Sequence, residues 1–338
     1  MNRTYRVGVA GLVHDHVWGE LPHWRSLPGV ELVAAADPHG ELRERAQREF
    51  GIPRTYESTE ALLAAEPLDV LQICGSNRDG VEAAVQAAAR GIHCVVEKPM
   101  AHTLAGADLM LQAHRQAGTQ LCINWPLYWQ PALRHACTLL GEGAIGHVFH
   151  ANIRMAHEGP REMGCSPYFY HWLYDPAQNG GGALVDYCCY GAALSRQLFG
   201  RPREVVGISA RLVKQDISVE DNAAITMVYA DRFAVAEASW CERPWYHDAI
   251  FRGTAGTLWT SHGKLFVDRS QQGGVPEEIA CPPLAAHSQN GPAYFLHCLT
   301  TGEPLAGMVS PEVSRDAQEI LGAGQLSAAT GQRITLPQ

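Results

Sequence analysis

The first third of the chain alternates between short apolar runs and longer helix-like stretches, and this alternation constrains the fold most. The apolar runs are 5–10, 30–36, 69–74, 93–97 and 120–124. The helix-like stretches are 39–50, 58–65, 79–90 and 103–117. Runs without polar alternation are typical of parallel strands that are covered on both faces. The pattern predicts an α/β fold with a doubly wound parallel sheet over residues 1–124.

Beyond Asn124 the pattern changes to segments in which apolar and polar residues alternate. These segments are 147–155, 204–213, 223–230, 232–240 and 247–253. Helical stretches are predicted near 130–140, 179–200 and 310–329, followed by a short strand at 333–337. Such alternation is typical of antiparallel strands with one buried face. Residues 125–338 are therefore predicted to form an α+β domain with a large open, mainly antiparallel sheet.

Composition excludes several classes of partner. The net charge of −9 disfavours nucleic acid and anionic membranes, and no apolar run reaches the roughly 20 residues that span a bilayer. A strand-like run begins at Tyr5, so we expect no secretory signal. The ten cysteines lie mostly in apolar surroundings without a C-x-x-C pair, which indicates buried thiols in a reducing cytoplasm.

In an open parallel sheet, ligands bind outside the carboxyl ends of the strands. The polar and glycine residues at those ends are Gly11, Asp37, Gly75, Ser76, Asn77, Glu97, Lys98 and Asn124. Lys98 stands between a strand and Pro99, which stiffens its position, although an exposed lysine explains the residue equally well. Further along, Asp186 and Tyr190 share a helix face behind three glycines; a surface hydrogen bond is the plainer interpretation of that pair.

Taken together, these motifs resemble the Gfo/Idh/MocA family of nicotinamide-dependent oxidoreductases. The matching stretches follow the family's order: AAADP at 34–38, QICGSN at 72–77, EKP at 97–99, GGGALVD at 180–186, GTAGTLW at 253–259 and TGQRITLP at 330–337. The resemblance implies a Rossmann domain, NAD as the cofactor and a catalytic set of Lys98, Asp186 and Tyr190. Tyr190 stands where the family usually has histidine, as in its glucose–fructose oxidoreductase, xylose dehydrogenase and dihydrodiol dehydrogenase branches.

The loop after the first strand departs from the family's G-x-G-x-x-G pattern. It reads Gly11, Leu12, Val13, His14, Asp15, His16, so two of the three glycines are absent. We favour continued NAD binding through Leu12, Val13 and the two histidines, because the catalytic set is intact. The other interpretations are a sensor that has lost its cofactor, a metal held by the histidines, and a purely structural pair. We expect no metal, since no carboxylate or cysteine cluster accompanies the histidines.

Two further features bear on specificity. Asp37 at the second strand's end can accept hydrogen bonds from ribose hydroxyls and would repel a 2′-phosphate, which favours NAD over NADP; it could also cap a helix. Aromatic and polar residues suited to a sugar's C–H faces and hydroxyls predict a substrate site, although packing explains each of them singly. The predicted substrate-binding residues are His171, Trp172, Asp175 and Tyr246.

The sequence therefore predicts an NAD(P)-dependent oxidoreductase that acts on a carbinol or carbonyl of a sugar, glycoside or cyclic polyol. Two alternatives stay open: a redox-neutral enzyme that retains NAD, and a non-catalytic sugar or dinucleotide sensor. Family resemblance also implies a homodimer or homotetramer formed through the second domain's sheet.

Overall fold

The computed structural model describes residues 3–271 and 273–337, and the chain forms two compact units. The first unit contains the chain up to Asn124 together with Cys165–Gly180 and Ala286–Arg315. The second contains Trp125–Gly164, Gly181–Ala285 and the chain from Asp316 onward. Hydrogen bonds hold the two later segments in the first unit: Asp15 accepts from Ser166 N–H at 2.7 Å, and Arg315 donates to Asp108 at 2.7 Å. The sequence pattern did not reveal that these segments return to the first unit.

The strands are β1 (Tyr5–Ala10), β2 (Val30–Ala36), β3 (Thr55–Tyr56), β4 (Val70–Ile73), β5 (His93–Glu97), β6 (Leu121–Asn124), β7 (Val148–Ala156), β8 (Glu204–Ala210), β9 (Asn222–Val228), β10 (Phe233–Ser239), β11 (Tyr246–Gly253), β12 (Gly256–Ser261), β13 (Lys264–Asp268), β14 (Glu277–Ile279) and β15 (Ile334–Thr335). The helices are α1 (Val17–Ser26), α2 (Gly40–Phe50), α3 (Thr59–Ala65), α4 (Asn77–Ala88), α5 (Leu104–Ala117), α6 (Pro131–Gly141), α7 (Pro167–Leu173), α8 (Pro176–Asn179), α9 (Ala183–Phe199), α10 (Gly291–Thr301) and α11 (Pro311–Thr330). Short 3₁₀ turns lie at Pro126–Trp129, Ala286–Ser288 and Gly307–Val309.

The first unit is built on a six-stranded sheet in the order β3-β2-β1-β4-β5-β6. All its pairings are parallel, and β1 lies between β2 and β4. Strands β1, β4, β5 and β6 are almost entirely buried, as the apolar runs predicted. The Rossmann-type prediction is confirmed. One element that the sequence reading missed is α1, whose apolar periodicity is interrupted by Gly19 and Pro22.

The second unit is built on a nine-stranded sheet in the order β14-β13-β12-β11-β7-β10-β9-β8-β15. Only the β7–β10 pair is parallel among the described pairings, so the predicted mainly antiparallel sheet is confirmed. Helix α9 packs tightly on this sheet: a Cβ on Gly191 would lie 2.4 Å from the Ala236 Cβ. Within the described residues, no helix is both long enough and apolar enough to cross a bilayer.

Candidate active site

A cleft of about 350 Å³ opens at the carboxyl ends of β1, β2 and β4. Gly11, Val13, Asp37 and Gly75 line it, which brings the predicted residues from three strand ends together. Its remaining charged lining is acidic, with Glu57, Glu60, Asp79 and Glu82. The position is the one at which Rossmann folds bind a dinucleotide, and the acidic lining suits neutral ribose hydroxyls. These residues therefore fit NAD.

Gly11 is the one loop position where the backbone requires glycine. Its φ is +80°, and a Cβ there would lie 2.4 Å from the backbone nitrogen of Gly75. His16 has φ −60°, and His262 is the single non-glycine residue with positive φ in the described part of the chain. The loop from Val13 to His16 therefore follows a path that ordinary residues adopt without strain.

Asp37 is buried at the end of β2 and binds the glycine loop. Its carboxylate accepts from Leu12 N–H at 2.6 Å and from His39 N–H at 2.8 Å, and the His39 ring nitrogen lies 2.8 Å away. The same carboxylate lines the cleft. Asp37 thus holds the loop in place from the side that faces the cleft.

The two loop histidines have different surroundings. His14 is buried against the rings of Phe169 and Trp172, at centroid distances of 4.6 and 5.6 Å. Burial, with smaller effects of His16 and Lys98, holds the pKa of His14 well below its usual value, so the ring is neutral. His16 is partly exposed.

Folding brings a carboxylate to this histidine pair. His16 Nδ1 lies 3.0 Å from Glu97 Oε2, and Asn124 donates to the other Glu97 oxygen at 2.6 Å. Our reason for expecting no metal is therefore wrong in its premise. The carboxylate beside the histidines in sequence, Asp15, accepts from Ser166 instead, whereas Glu97 comes from the end of β5 at the same edge of the sheet.

Other predicted cofactor residues have partners within the protein. Ser76 caps α4 by accepting from Asp79 N–H at 3.2 Å. The Asn77 amide donates to Asn179 Oδ1 at 2.7 Å. These bonds account for both side chains structurally, and their contact with a cofactor stays a prediction.

Three predicted substrate residues lie on α7 and around α8. Trp172 is buried, Asp175 caps α8 by accepting from Ala177 N–H at 2.9 Å, and His171 is exposed. Tyr246 lies on β11 of the second unit, with the Arg154 guanidinium 5.7 Å from its ring centroid. The structure gives Trp172 and Asp175 packing and capping roles, and their substrate role stays a prediction.

Lys98 directly follows β5 and is buried, with 4% of its surface exposed. The interpretation of this residue as an ordinary surface lysine is therefore wrong. Burial of a lysine requires compensating interactions, which suits a residue in a site rather than one in bulk solvent.

In the second unit, Asp186 and Tyr190 lie one turn apart on α9, and both are buried. The Trp240 indole N–H donates to Asp186 Oδ2 at 3.1 Å. The Tyr190 ring meets the edge of Trp125 at a centroid distance of 5.4 Å. The plainer interpretation, a surface hydrogen bond, is wrong because this face of α9 is turned inward.

The glycines before α9 are required by the protein's own packing. A Cβ on Gly182 would lie 2.2 Å from the carbonyl oxygen of Glu220, whose side chain accepts from Gly182 N–H at 2.7 Å. A Cβ on Gly180 would likewise lie 2.2 Å from the carbonyl oxygen of His102. The glycine run thus permits a close backbone approach and needs no ligand to explain it.

An aromatic group beside α9 was only partly found from the sequence. The Tyr187 ring lies 4.7 Å from that of His157 and 5.9 Å from that of His247, and Trp245 lies 6.4 Å from His247. We call these four residues the α9 aromatic group. Tyr246 and His247 point to opposite faces of β11, so they cannot serve the same pocket. The alternation of side chains along a strand could have shown from the sequence that these two residues face opposite sides of the sheet.

Comparisons with known proteins agree with this architecture. Residues 5–125 match the model of an oxidoreductase family with an NAD-binding Rossmann fold, and residues 133–259 match the GFO/IDH/MocA C-terminal domain. The D-apiose dehydrogenase of Paraburkholderia graminis is 29% identical over 94% of this chain and 86% of its own length. The 1,5-anhydro-D-fructose reductase of Ensifer adhaerens is 28% identical over 65% of this chain and 64% of its own length.

Solved structures show the same fold. A levoglucosan dehydrogenase in complex with NADH and levoglucosan has a TM-score of 0.83 at 20% identity, covering 99% of this chain and 100% of that chain. An aldose-aldose oxidoreductase from Caulobacter crescentus has a TM-score of 0.84 at 20% identity over 99% and 100% of the two chains. The chain belongs to the Gfo/Idh/MocA family of oxidoreductases, and its first domain is an NAD-binding Rossmann fold.

Proposed function

We propose that the protein is an NAD-dependent dehydrogenase or reductase acting on a hydroxyl or carbonyl carbon of a sugar, glycoside or cyclic polyol. The observation that carries the proposal is the buried Asp186–Tyr190 face of α9 beside the α9 aromatic group. Rings and buried polar groups on neighbouring elements suit a ligand with C–H faces and hydroxyls. Similarity to a D-apiose dehydrogenase along 94% of the chain supports the same substrate class.

Within this proposal the catalytic residues are Lys98, Asp186 and Tyr190, the tyrosine-containing variant of the family's set. NAD, when bound, supplies the nicotinamide that exchanges a hydride with the substrate carbon. Tyr190 Oη takes the hydroxyl proton during oxidation and returns it during reduction. The ammonium of Lys98 favours the phenolate and stabilises negative charge on the substrate oxygen. Asp186, oriented by the Trp240 N–H, holds a substrate hydroxyl or the lysine.

The substrate contacts are proposed to come from the α9 aromatic group, His171, Trp172 and Asp175, with Tyr246 as the alternative to His247 on β11. Support for the first set is its packing around Tyr187, which neighbours Tyr190 at a ring distance of 6.1 Å. The second set rests on its mixture of aromatic and polar side chains.

We further propose a homodimer or homotetramer that associates through the exposed face of the second sheet. Large apolar side chains are exposed on β7, β8 and β10, at Phe149, Ile208 and Phe233. Exposed apolar patches of this kind are typical of protein–protein contacts. A cytoplasmic location is proposed because all ten cysteines are free. Sedimentation of the purified protein and of an Ile208→Asp variant tests the oligomer.

The deciding experiment for the chemistry is Tyr190→Phe, assayed for NADH formation with a panel of sugars and polyols. This change keeps the ring and its packing and removes the titrating hydroxyl. We expect kcat to fall by roughly 10²–10⁴ with a small change in KM, and the pH–rate profile to lose its phenol-dependent limb. The comparison variant is His171→Asn, which should keep kcat near the wild-type value while KM rises if the ring contacts substrate. An active Tyr190→Phe together with an inactive His171→Asn would assign proton transfer to the histidine.

A further inference from the structure

Three potential metal ligands converge at the carboxyl ends of β1 and β5. His14, His16 and Glu97 each offer one ligand atom, and these atoms lie within 4.8 Å of one another. His14 and Glu97 are buried, with 2% and 4% of their surfaces exposed. His16 Nδ1 already lies 3.0 Å from Glu97 Oε2. The sequence predicted these three residues as cofactor contacts, and the proposed proton transfer does not use their side chains.

The surroundings hold these side chains in place. Asn124 donates to Glu97 Oε1 at 2.6 Å, which leaves the Oε2 atom turned toward His16. His14 Nδ1 accepts a long hydrogen bond from His16 N–H at 3.3 Å, which a metal bound at this nitrogen would replace. Partners that orient ligands from behind are typical of protein metal sites.

The charges that face the group are mixed. Lys98 acts on His14 as a positive charge. Opposing it are Glu97 itself and the buried Glu20, whose Oε1 accepts from the Asn124 amide at 3.1 Å. Two buried carboxyl groups therefore stand beside one ammonium at this edge of the sheet.

We propose that His14, His16 and Glu97 bind a divalent transition-metal ion of the Zn²⁺, Co²⁺ or Fe²⁺ class. Two imidazoles and one carboxylate match the ligand preferences of these ions rather than those of Mg²⁺ or Ca²⁺. In tetrahedral geometry, metal–ligand bonds of about 2.0–2.2 Å place ligand atoms about 3.4 Å apart. The widest pair of ligand atoms, within 4.8 Å, therefore needs to contract by up to about 1.4 Å, which side-chain rotation supplies. Three protein ligands leave at least one coordination position open.

A hydrogen bond between His16 and Glu97 is the competing explanation. It accounts for two of the three residues and does not involve the His14 ring. It also predicts that substitutions in the group change no metal affinity, so the two explanations differ in what a metal titration measures.

The test is calorimetric titration of the chelator-treated, full-length protein with Zn²⁺, together with visible spectra of the Co²⁺-loaded protein. We expect one ion per chain and Co²⁺ ligand-field bands without thiolate charge transfer. His16→Gln and Glu97→Gln should each weaken binding at least tenfold, and Asn124→Ala by about 10–100-fold. The matched control is His23→Gln, an exposed histidine near Glu20 whose loss should leave the affinity unchanged.

X-ray absorption of the Zn²⁺-loaded wild type requires no variant and should show imidazole and oxygen scatterers without sulfur. This readout remains available if a substitution prevents folding. Absence of stoichiometric binding overturns the proposal. Sulfur ligation, or an affinity that both glutamine variants leave intact, also overturns it, because the ion would then lie elsewhere. None of these outcomes depends on the proposed sugar chemistry.

Discussion

Replacement of Asp37 should change which nicotinamide cofactor the protein prefers. Its carboxylate is buried, with 2% of its surface exposed, and lines the cleft at the end of β2. NADP differs from NAD by a 2′-phosphate that carries about −1.5 to −2 charges at neutral pH. Both oxygens of Asp37 are held by the backbone, so the carboxylate cannot turn away from that phosphate.

The size of the effect follows from Coulomb's law. Two unit charges about 4 Å apart interact by about 1 kcal/mol even at the dielectric constant of water. A doubly charged phosphate then costs about 2 kcal/mol, which corresponds to roughly a 30-fold preference for NAD. Arg43 works against this preference only in part, because its guanidinium donates to the carbonyl oxygens of Asp37 and Pro38 at 2.7 and 3.0 Å.

The assay compares kcat/KM for NAD and NADP in the wild type, Asp37→Asn and Asp37→Ala. Asparagine removes the charge but can accept from only one of the two backbone N–H groups, so the preference for NAD should narrow to a few-fold with part of the stability loss that alanine causes. Alanine should narrow it as well and lower the free energy of unfolding by about 1–3 kcal/mol, since a buried N–H loses its acceptor. The control is Glu57→Gln, which changes an exposed acid on the same cleft. It should alter the ratio of kcat/KM for NAD to that for NADP only slightly. Equal use of both cofactors by the wild type, or an unchanged ratio in Asp37→Asn, would refute the reasoning.

Three further predictions concern single residues. Lys98→Ala should lower kcat/KM more than tenfold, which corresponds to a loss of about 1.4 kcal/mol of transition-state stabilisation, and should largely keep the NAD affinity measured by fluorescence. A smaller loss of kcat/KM would contradict the catalytic role of Lys98. Burial opposes ionisation of Asp221, but backbone N–H bonds from residues 212–214 outweigh it and lower its pKa to about 2. Because the folded pKa is depressed, Asp221→Asn should cost about 2 kcal/mol in urea unfolding at neutral pH, and the difference should vanish as pH falls from about 4 to about 2. Asn77→Ala should lower the free energy of unfolding by about 1–3 kcal/mol, because Asn179 Oδ1 loses its buried donor; an unchanged melting temperature would count against this.

The sequence predicted the parallel sheet well because burial on both faces leaves a local signal. Five of its strands appear as uninterrupted apolar runs, and the structure places them where expected. Helix α1 left no such signal, since Gly19 and Pro22 interrupt its pattern and tertiary packing of Val17 and Trp24 stabilises it. Short segments with few residues per element, such as α7 and α8, carry too little periodicity to be read.

Part of the site was predictable because ligands of open parallel sheets bind outside the carboxyl ends of the strands, and the sequence shows where each strand ends. Asp37, Gly75 and Gly11 were found in this way and line one cleft. Contacts between distant side chains were not predictable. Glu97 follows His16 by 81 residues, and no single-sequence pattern reports that the two side chains meet. The family, the fold and the NAD cofactor are confirmed, whereas the roles of individual side chains stay predictions.

The histidine-bearing loop explains how a glycine-poor sequence can still serve a dinucleotide. Its backbone demands glycine only at Gly11, where φ is positive. Several loop N–H groups are already committed: that of Leu12 donates to Asp37, that of His14 to the Cys74 carbonyl, and that of His16 to the His14 ring. In the described part of the chain, the N–H groups of Val13 and Asp15 have no such acceptor. We therefore propose that these two amides contact the pyrophosphate. The residues that replaced the second and third glycines leave those amides available while bringing two imidazoles to Glu97.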